Sequence, residues 1–258
     1  MNLFDYSYED IVRCLKIVGL KNGDKIFVHS NIGFFGKLKD ADNGLKFYEN
    51  FKKAIFEIIG YNGTLVVPTF TYSFMNNDIF DREKSSTVCG MFSEMVRNDS
   101  SSIRSNDPNF SVSAIGMDSN FFTENLSNHS FDSNSFWNRF LEKNGKICNF
   151  NFDSGSTFFH FVEKTLNVEY RFDKQFSGNF LSNQKIQNAV WTHFVFDHNK
   201  KNHWPNFEKF SKKANNLGLV KIKNLGKGQI TCISARDTFD LIKNELKNDP
   251  SFLIDGPL

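Results

Sequence analysis

The sequence predicts an α/β fold, layered α/β/α around a central mixed sheet, and three observations carry the prediction. Short apolar runs of the length of buried strands recur at Lys25–His29, Gly63–Phe70, Val112–Ile115 and Lys146–Phe150. Segments with apolar residues at helical spacing alternate with several of them, the pattern of layered α/β proteins. The chain of 258 residues has no internal repeat, Pro-rich linker or low-complexity tail, so one domain spanning 1–258 is expected.

The elements follow in order. Ser7 caps a first helix whose apolar stripe is Ile11, Cys14, Leu15 and Val18, ending at Gly19. After a turn at residues 21–24, the strand Lys25–His29 runs into Ser30-Asn31-Ile32-Gly33-Phe34-Phe35-Gly36. Backbone amides of such a Gly-punctuated loop can cradle an anion, but neither a Walker lysine nor a GxGxxG pattern is present. A second helix over Asn43–Gly60 carries Leu45, Tyr48, Phe51, Ile55 and Ile58 as a core stripe. The strand Gly63–Phe70 leads into Thr71-Tyr72-Ser73, and the polar, non-periodic stretch 74–86 predicts a long surface loop at a substrate mouth. Val88–Asn98 reads as helix, residues 104–111 as loop, and Val112–Ile115 as a strand closed by Gly116.

The unit with the most chemistry is Lys146–Glu163. A buried strand breaks at Asp153-Ser154-Gly155-Ser156, and Ser156 or Thr157 can cap the helix that follows. His160 lies one turn in, with Glu163 three residues on, so both side chains share a helical face. The carboxylate can then fix the imidazole tautomer and favour its cationic form. Carboxyl ends of strands are where α/β proteins place their chemistry.

Composition excludes several classes. Net charge is only +2, which gives no global case for nucleic acid. No run of about 18 apolar residues and no basic-then-apolar leader occurs, which predicts neither a membrane span nor a secretory signal, and hence a cytoplasmic protein. Cys14, Cys89, Cys148 and Cys232 are isolated and read as reduced core thiols. Phe supplies 31 residues, so the default role of any one Phe is packing. Eight lysines between Lys200 and Lys227 face the single acid Glu208, either a solvated face or a rim for phosphates.

Taken in order, His29-Ser30-Asn31-Ile32-Gly33, Pro68-Thr69-Phe70-Thr71, Arg104-Ser105 to Ser111-Val112 with Gly116, Ser135-Phe136-Trp137, Gly145-Lys146, residues 153–157 with His160 and Glu163, Val168-Glu169-Tyr170-Arg171 and Ile233-Ser234-Ala235-Arg236-Asp237 form a set. This ordered set resembles the aminoglycoside 3-N-acetyltransferase family, which uses acetyl-CoA on a non-GNAT fold, and the likeness runs from Leu20 to Phe252. The resemblance implies that His160 is the general base, with Glu163 or Glu208 as its carboxylate partner. It implies CoA contacts at His29, Ser30, Asn31, Thr69, Thr71, Ser105, Ser111 and Val112, and acceptor contacts at Asp107, Asp153 and Thr157. It implies acetyl-CoA as cosubstrate, an amino-sugar acceptor and no metal, and it leaves a homodimer open. The family segment Arg-Ser-x-His-Pro-x-His-Ser has Asp107 and Phe110 here in its two histidine positions.

Aminoglycosides are polycations that call for an acid-lined mouth, whereas the lysines of 200–227 favour an anionic acceptor such as a nucleotide-linked amino sugar. The alternatives are an aminoglycoside resistance enzyme and a non-catalytic CoA- or sugar-binding protein. A Ser154 or Ser156 hydrolase lacks the GxSxG elbow. A metal site on His193, His198 and His203, expected to be exposed, lacks helical-face spacing. Trp137, Trp191 and Trp204 are each expected to pack in the core or at its edge rather than to stack on a sugar.

Overall fold

Apolar residues occupy both faces of the central strands, so those strands must be covered on both sides. A computed structural model of the chain describes residues 4–152, 155–182, 184–197 and 204–255. Its strands are β1 (Lys25–Ser30), β2 (Thr64–Pro68), β3 (Phe80–Asp81), β4 (Ile103–Arg104), β5 (Val112–Gly116), β6 (Lys146–Phe150), β7 (Arg171–Ser182), β8 (Lys185–Phe196), β9 (Lys221–Leu225) and β10 (Gly228–Ser234). Seven form a mixed sheet in the order β4-β5-β2-β1-β6-β10-β9, and β3-β7-β8 form a second one. The centre is parallel, with Phe27 opposite Val66 on one side and Ile147 on the other. The flanking strands β5 and β10 run antiparallel to it.

The helices are α1 (Tyr8–Ile17), α2 (Gly44–Ile59), α3 (Met91–Arg97), α4 (Ser119–Thr123), α5 (Phe136–Glu142), α6 (Phe158–Leu166), α7 (Glu208–Asn216) and α8 (Ala235–Asn248). Strand periodicity decides what each helix covers. Ile26, Val28, Leu65, Val67, Cys148 and Phe150 join the core under α1, α2 and α3, while Phe27, Val66 and Ile147 point the opposite way under α4 to α8. This is the layered α/β/α arrangement that the sequence predicts. Each fully buried Phe, such as Phe27 or Phe51, contributes roughly 1.5–3 kcal/mol.

Local chemistry sets the helix ends. Ser7 and Asp10 form a reciprocal capping box on α1. Asn43 caps α2 through the amide of Lys46, and Gly60 ends it at φ +66. Leu45 leaves the predicted stripe: it is 60% exposed, because it sits in the first turn, outside the arc formed by Tyr48, Phe51 and Ile55.

Two other expectations change. The stretch 74–86 is not a free loop: Phe74 and Phe80 are buried against Trp191, and β3 pairs with β7. Gly178 leaves room for the Phe74 ring, which a Cβ there would meet at 2.4 Å. The hairpin β7–β8, with twelve paired positions, is absent from the sequence reading because much of it is exposed and lacks clean apolar alternation.

Among the described residues, most lysines of the basic stretch are ion-paired or lie on an edge strand. Lys209, Lys212, Lys213 and Lys227 pair with Asp249, Glu208, Glu245 and Asp5. Lys221 and Lys223 lie on β9, the outermost strand, where lysines discourage edge-to-edge pairing. Lys200 and Lys201 lie outside the described residues. Trp137 and Trp191 are buried, whereas Trp204 is 62% exposed.

Candidate active site

Three neighbouring parallel strands, β2, β1 and β6, end on the same side of the sheet, and the chain beyond each is polar and irregular. Ligand crevices of open α/β sheets form at such ends. A cavity of about 560 Å³ opens there, lined among others by Ser30, Phe70, Tyr72, Thr157 and His160. A larger one of about 830 Å³ lies on the other side of the 3₁₀ turn Ile32–Phe35, where Gly33, Lys37 and Lys46 line it.

His160 stands in the first turn of α6 and its side chain remains 22% exposed. Its Nδ1 lies 2.7 Å from Glu163 Oε2. Glu163 is fully buried, and burial alone would raise its pKa. Arg171, whose Nε lies 2.8 Å from Oε2, outweighs that effect together with His160 and the Tyr170 hydroxyl, which donates to Oε1 at 2.9 Å. Glu163 is therefore ionised and can only accept, so the imidazole proton sits on Nδ1 and the lone pair on Nε2.

Burial, then the Arg171 charge, lowers the His160 pKa from the usual imidazole value, with Glu163 opposing both. The expected bias toward the cationic form is thus reversed, because burial, reinforced by the Arg171 charge, outweighs the carboxylate. Arg171 and Tyr170, which appear in the sequence only as part of the motif Val168-Glu169-Tyr170-Arg171 and without an assigned role, contact Glu163 because the chain returns along β7 after α6.

His29 ends β1 against the same cavity. It is buried, stacks on Phe152 with ring centroids 5.5 Å apart, and meets Ser156 Oγ at 3.2 Å. Burial pushes its pKa down to about 4. Ser156 also accepts from the amide of Phe158, so its hydroxyl is committed to the helix start and to His29 rather than to His160. Among the described residues, Ser30 Oγ is buried without a partner, while Asn31, Thr157 and the half-buried Cys89 also line the wall. Asp153 and Ser154 lie outside the described residues.

The remaining predicted CoA contacts are placed elsewhere. Arg104 is buried and donates to Thr69 O at 2.7 Å, to Ser85 O at 2.6 Å and to Ser111 Oγ at 3.1 Å. Ser111 donates to Thr69 O, Ser105 Oγ accepts from the Val112 amide, and Thr71 donates to Pro108 O. Thr69, Thr71, Ser105, Ser111 and Val112 are therefore consumed by internal bonds and none lines either large cavity. The Ser111 hydroxyl and the carbonyls of Thr69 and Ser85 satisfy a buried arginine, while Thr71 and Ser105 bond to nearby main chain, uses that a linear motif cannot distinguish from ligand contacts.

Asp107 is likewise closed. Its Oδ1 accepts from the amides of Asn109 and Phe110, and its Oδ2 accepts from Ser130. Ser130 Oγ in turn lies 2.6 Å from His193 Nδ1, and Asn109 Nδ2 lies 2.6 Å from His193 Nε2. His193 is fully buried, contrary to the expected exposure, and both its nitrogens are engaged. His198 and His203 lie outside the described residues. Glu208 does not reach His160: its side chain is 66% exposed and pairs with Lys212 at 2.7 Å on α7.

With this geometry in place, the chain is matched over residues 27–247 by the family model described as aminoglycoside 3-N-acetyltransferase. Solved structures superpose on nearly all of it. Sisomicin-bound AAC-VIa gives a TM-score of 0.81 at 19% identity, covering 94% of this chain and 98% of that one. AAC-IIIb in binary complex with CoASH gives 0.79 at 17%, with coverages of 94% and 97%. The YokD protein from Bacillus subtilis gives 0.75 at 18%, with 94% and 99%. At these identities the likeness shows the fold. No curated protein sequence matches the chain.

Proposed function

Because the chain belongs to the aminoglycoside 3-N-acetyltransferase family, we propose that it transfers the acetyl group of acetyl-CoA directly to the amine of an amino sugar, with His160 as general base. The observation that carries this reading is the His160 imidazole on a cavity wall with its Nδ1 proton held by a buried, ionised Glu163. In a ternary complex the amine nitrogen attacks the thioester carbonyl while Nε2 takes its proton. The tetrahedral intermediate then expels CoA thiolate, which recovers a proton. General base catalysis of this kind is worth about 10²–10⁴ in rate.

Glu163 orients the ring, while burial and the Arg171 charge lower the imidazole pKa and so favour the form that can accept a proton. The unpartnered Ser30 hydroxyl supplies a donor to the developing oxyanion. The larger cavity, with Lys37 and Lys46 on its wall, suits the phosphate-bearing part of CoA, although Asp42 already pairs with Lys46. The acceptor is an amino sugar, free or nucleotide-linked. The lysine argument for the nucleotide-linked form weakens because the described lysines of 200–227 are mostly ion-paired or on the edge strand.

Calorimetric titration with acetyl-CoA, followed by a thiol-release assay over free amino sugars, nucleotide-linked amino sugars and aminoglycosides, tests the proposal. Binding with release is expected. Binding without release over the whole panel would favour a non-catalytic CoA-binding protein, and no acetyl-CoA binding would sink the reading. Release with an aminoglycoside alone would make the protein a resistance enzyme, the reading that the family name favours.

A further inference from the structure

The cavity beside His160 is walled by rings. Phe70, Tyr72, Phe152 and Phe207 line it, and Phe131 meets the His160 imidazole edge-on at 5.8 Å. Phe110, which occupies the second histidine position of the family segment, backs Phe70 at 5.1 Å and Tyr72 at 5.4 Å. Tyr72 differs from the other rings in its backbone, which has φ +54. A bulky residue in the left-handed region costs about 1–3 kcal/mol and persists only where its surroundings over-determine it.

Asn109 imposes that conformation. Its carbonyl accepts from the amides of Thr71 and Tyr72, and its Oδ1 accepts from those of Phe74 and Met75. Its Nδ2 is held by the buried His193. The strain thus presents an aromatic ring to the reaction cavity.

A sugar ring that carries the amine would lay its apolar face on an aromatic ring of this wall and turn its hydroxyls to neutral groups such as Ser30 and Thr157.

We infer that the apolar face of the acceptor's amine-bearing ring seats on Tyr72, which makes Tyr72 the specificity-determining residue of the site. This rests on the transferase reading above. The test measures kcat and KM with whichever of D-glucosamine, UDP-glucosamine and sisomicin the wild-type protein acetylates.

Tyr72→Asn removes the ring with a residue tolerant of the left-handed backbone, and Tyr72→Gly does the same should the first variant fold poorly. Either raises the acceptor KM roughly tenfold with the acetyl-CoA KM unchanged, and Tyr72→Phe recovers most of that loss. A change confined to the acetyl-CoA KM, or no change at all, overturns the role of Tyr72. Absence of acetyl-CoA binding by the wild-type protein overturns the transferase reading, and this inference with it.

Discussion

Two polar clusters flank the ends of the central strands, and they differ in where their hydrogen bonds go. Around Arg104, the carbonyls of Thr69 and Ser85 and the Ser111 hydroxyl are bonded to the guanidinium or to one another, and neither large cavity reaches them. Around His160, Nδ1 is bound but the ring faces open volume, and among the described residues the Ser30 hydroxyl has no partner. Polar density alone does not mark a reacting site: the closed cluster is scaffold, and the open one retains bonding capacity for a ligand.

The sharpest way to break this comparison is to exchange the expected penalties. His160→Ala is expected to cut turnover at least roughly a hundredfold while acetyl-CoA affinity, read by calorimetry, changes little. A mutant as active as the wild type would remove the mechanism. Arg104→Ala should show the converse: a loss on the order of 3 kcal/mol in urea unfolding, because buried carbonyls lose their donors, with turnover per folded molecule within a few-fold of wild type.

Glu163→Gln sharpens the comparison within the open cluster. It keeps an acceptor for Nδ1 but leaves Arg171 unbalanced, so turnover should fall about tenfold, less than for His160→Ala. Glu163 is the group that raises the His160 pKa, so the acid limb of the pH–rate profile should move to lower pH. An unmoved limb would mean that another group titrates there.

Stability against pH probes the buried rings. Burial lowers the pKa of His29, His160 and His193 below the usual imidazole value of about 6.5. Below that pH the unfolded chain binds protons that the folded chain refuses. Stability should therefore be full above about pH 6.5 and decline as pH falls toward 4. His29 alone accounts for roughly 3 kcal/mol of that decline by pH 4, and His29→Gln should flatten the curve. The smallest effect is expected of Glu208→Gln, which touches only an exposed ion pair: kcat and both KM values should stay within twofold.

Much of the fold was legible because its cause is local. Ser7 caps its helix through the Asp10 amide, the helix expected over Asn43–Gly60 forms as α2, and the runs at residues 25–30, 64–68 and 146–150 are strands because they are buried on both faces. The strand–turn–helix carrying His160 and the proximity of Glu163 followed from helical spacing. The β7–β8 hairpin was not legible, since an exposed antiparallel pair needs no apolar alternation and draws its order from main-chain bonds. Leu45 and His193 were misplaced for a related reason: spacing describes a helix face or a strand, and neighbours decide what covers it.

The sequence by itself determined the α/β layering, the strand-end position of His160 and its pairing with Glu163, because caps, periodicity and i,i+3 spacing act over a few residues. Only the tertiary structure decided that Glu163 is shared with Arg171 and Tyr170, and that burial lowers the His160 pKa despite the carboxylate. Only it showed that Thr69 and Ser111 serve Arg104, and that Tyr72 is strained into the cavity. Those outcomes depend on which segments meet across the fold, and a buried polar group is satisfied by whatever comes within hydrogen-bond distance, however far away in the chain.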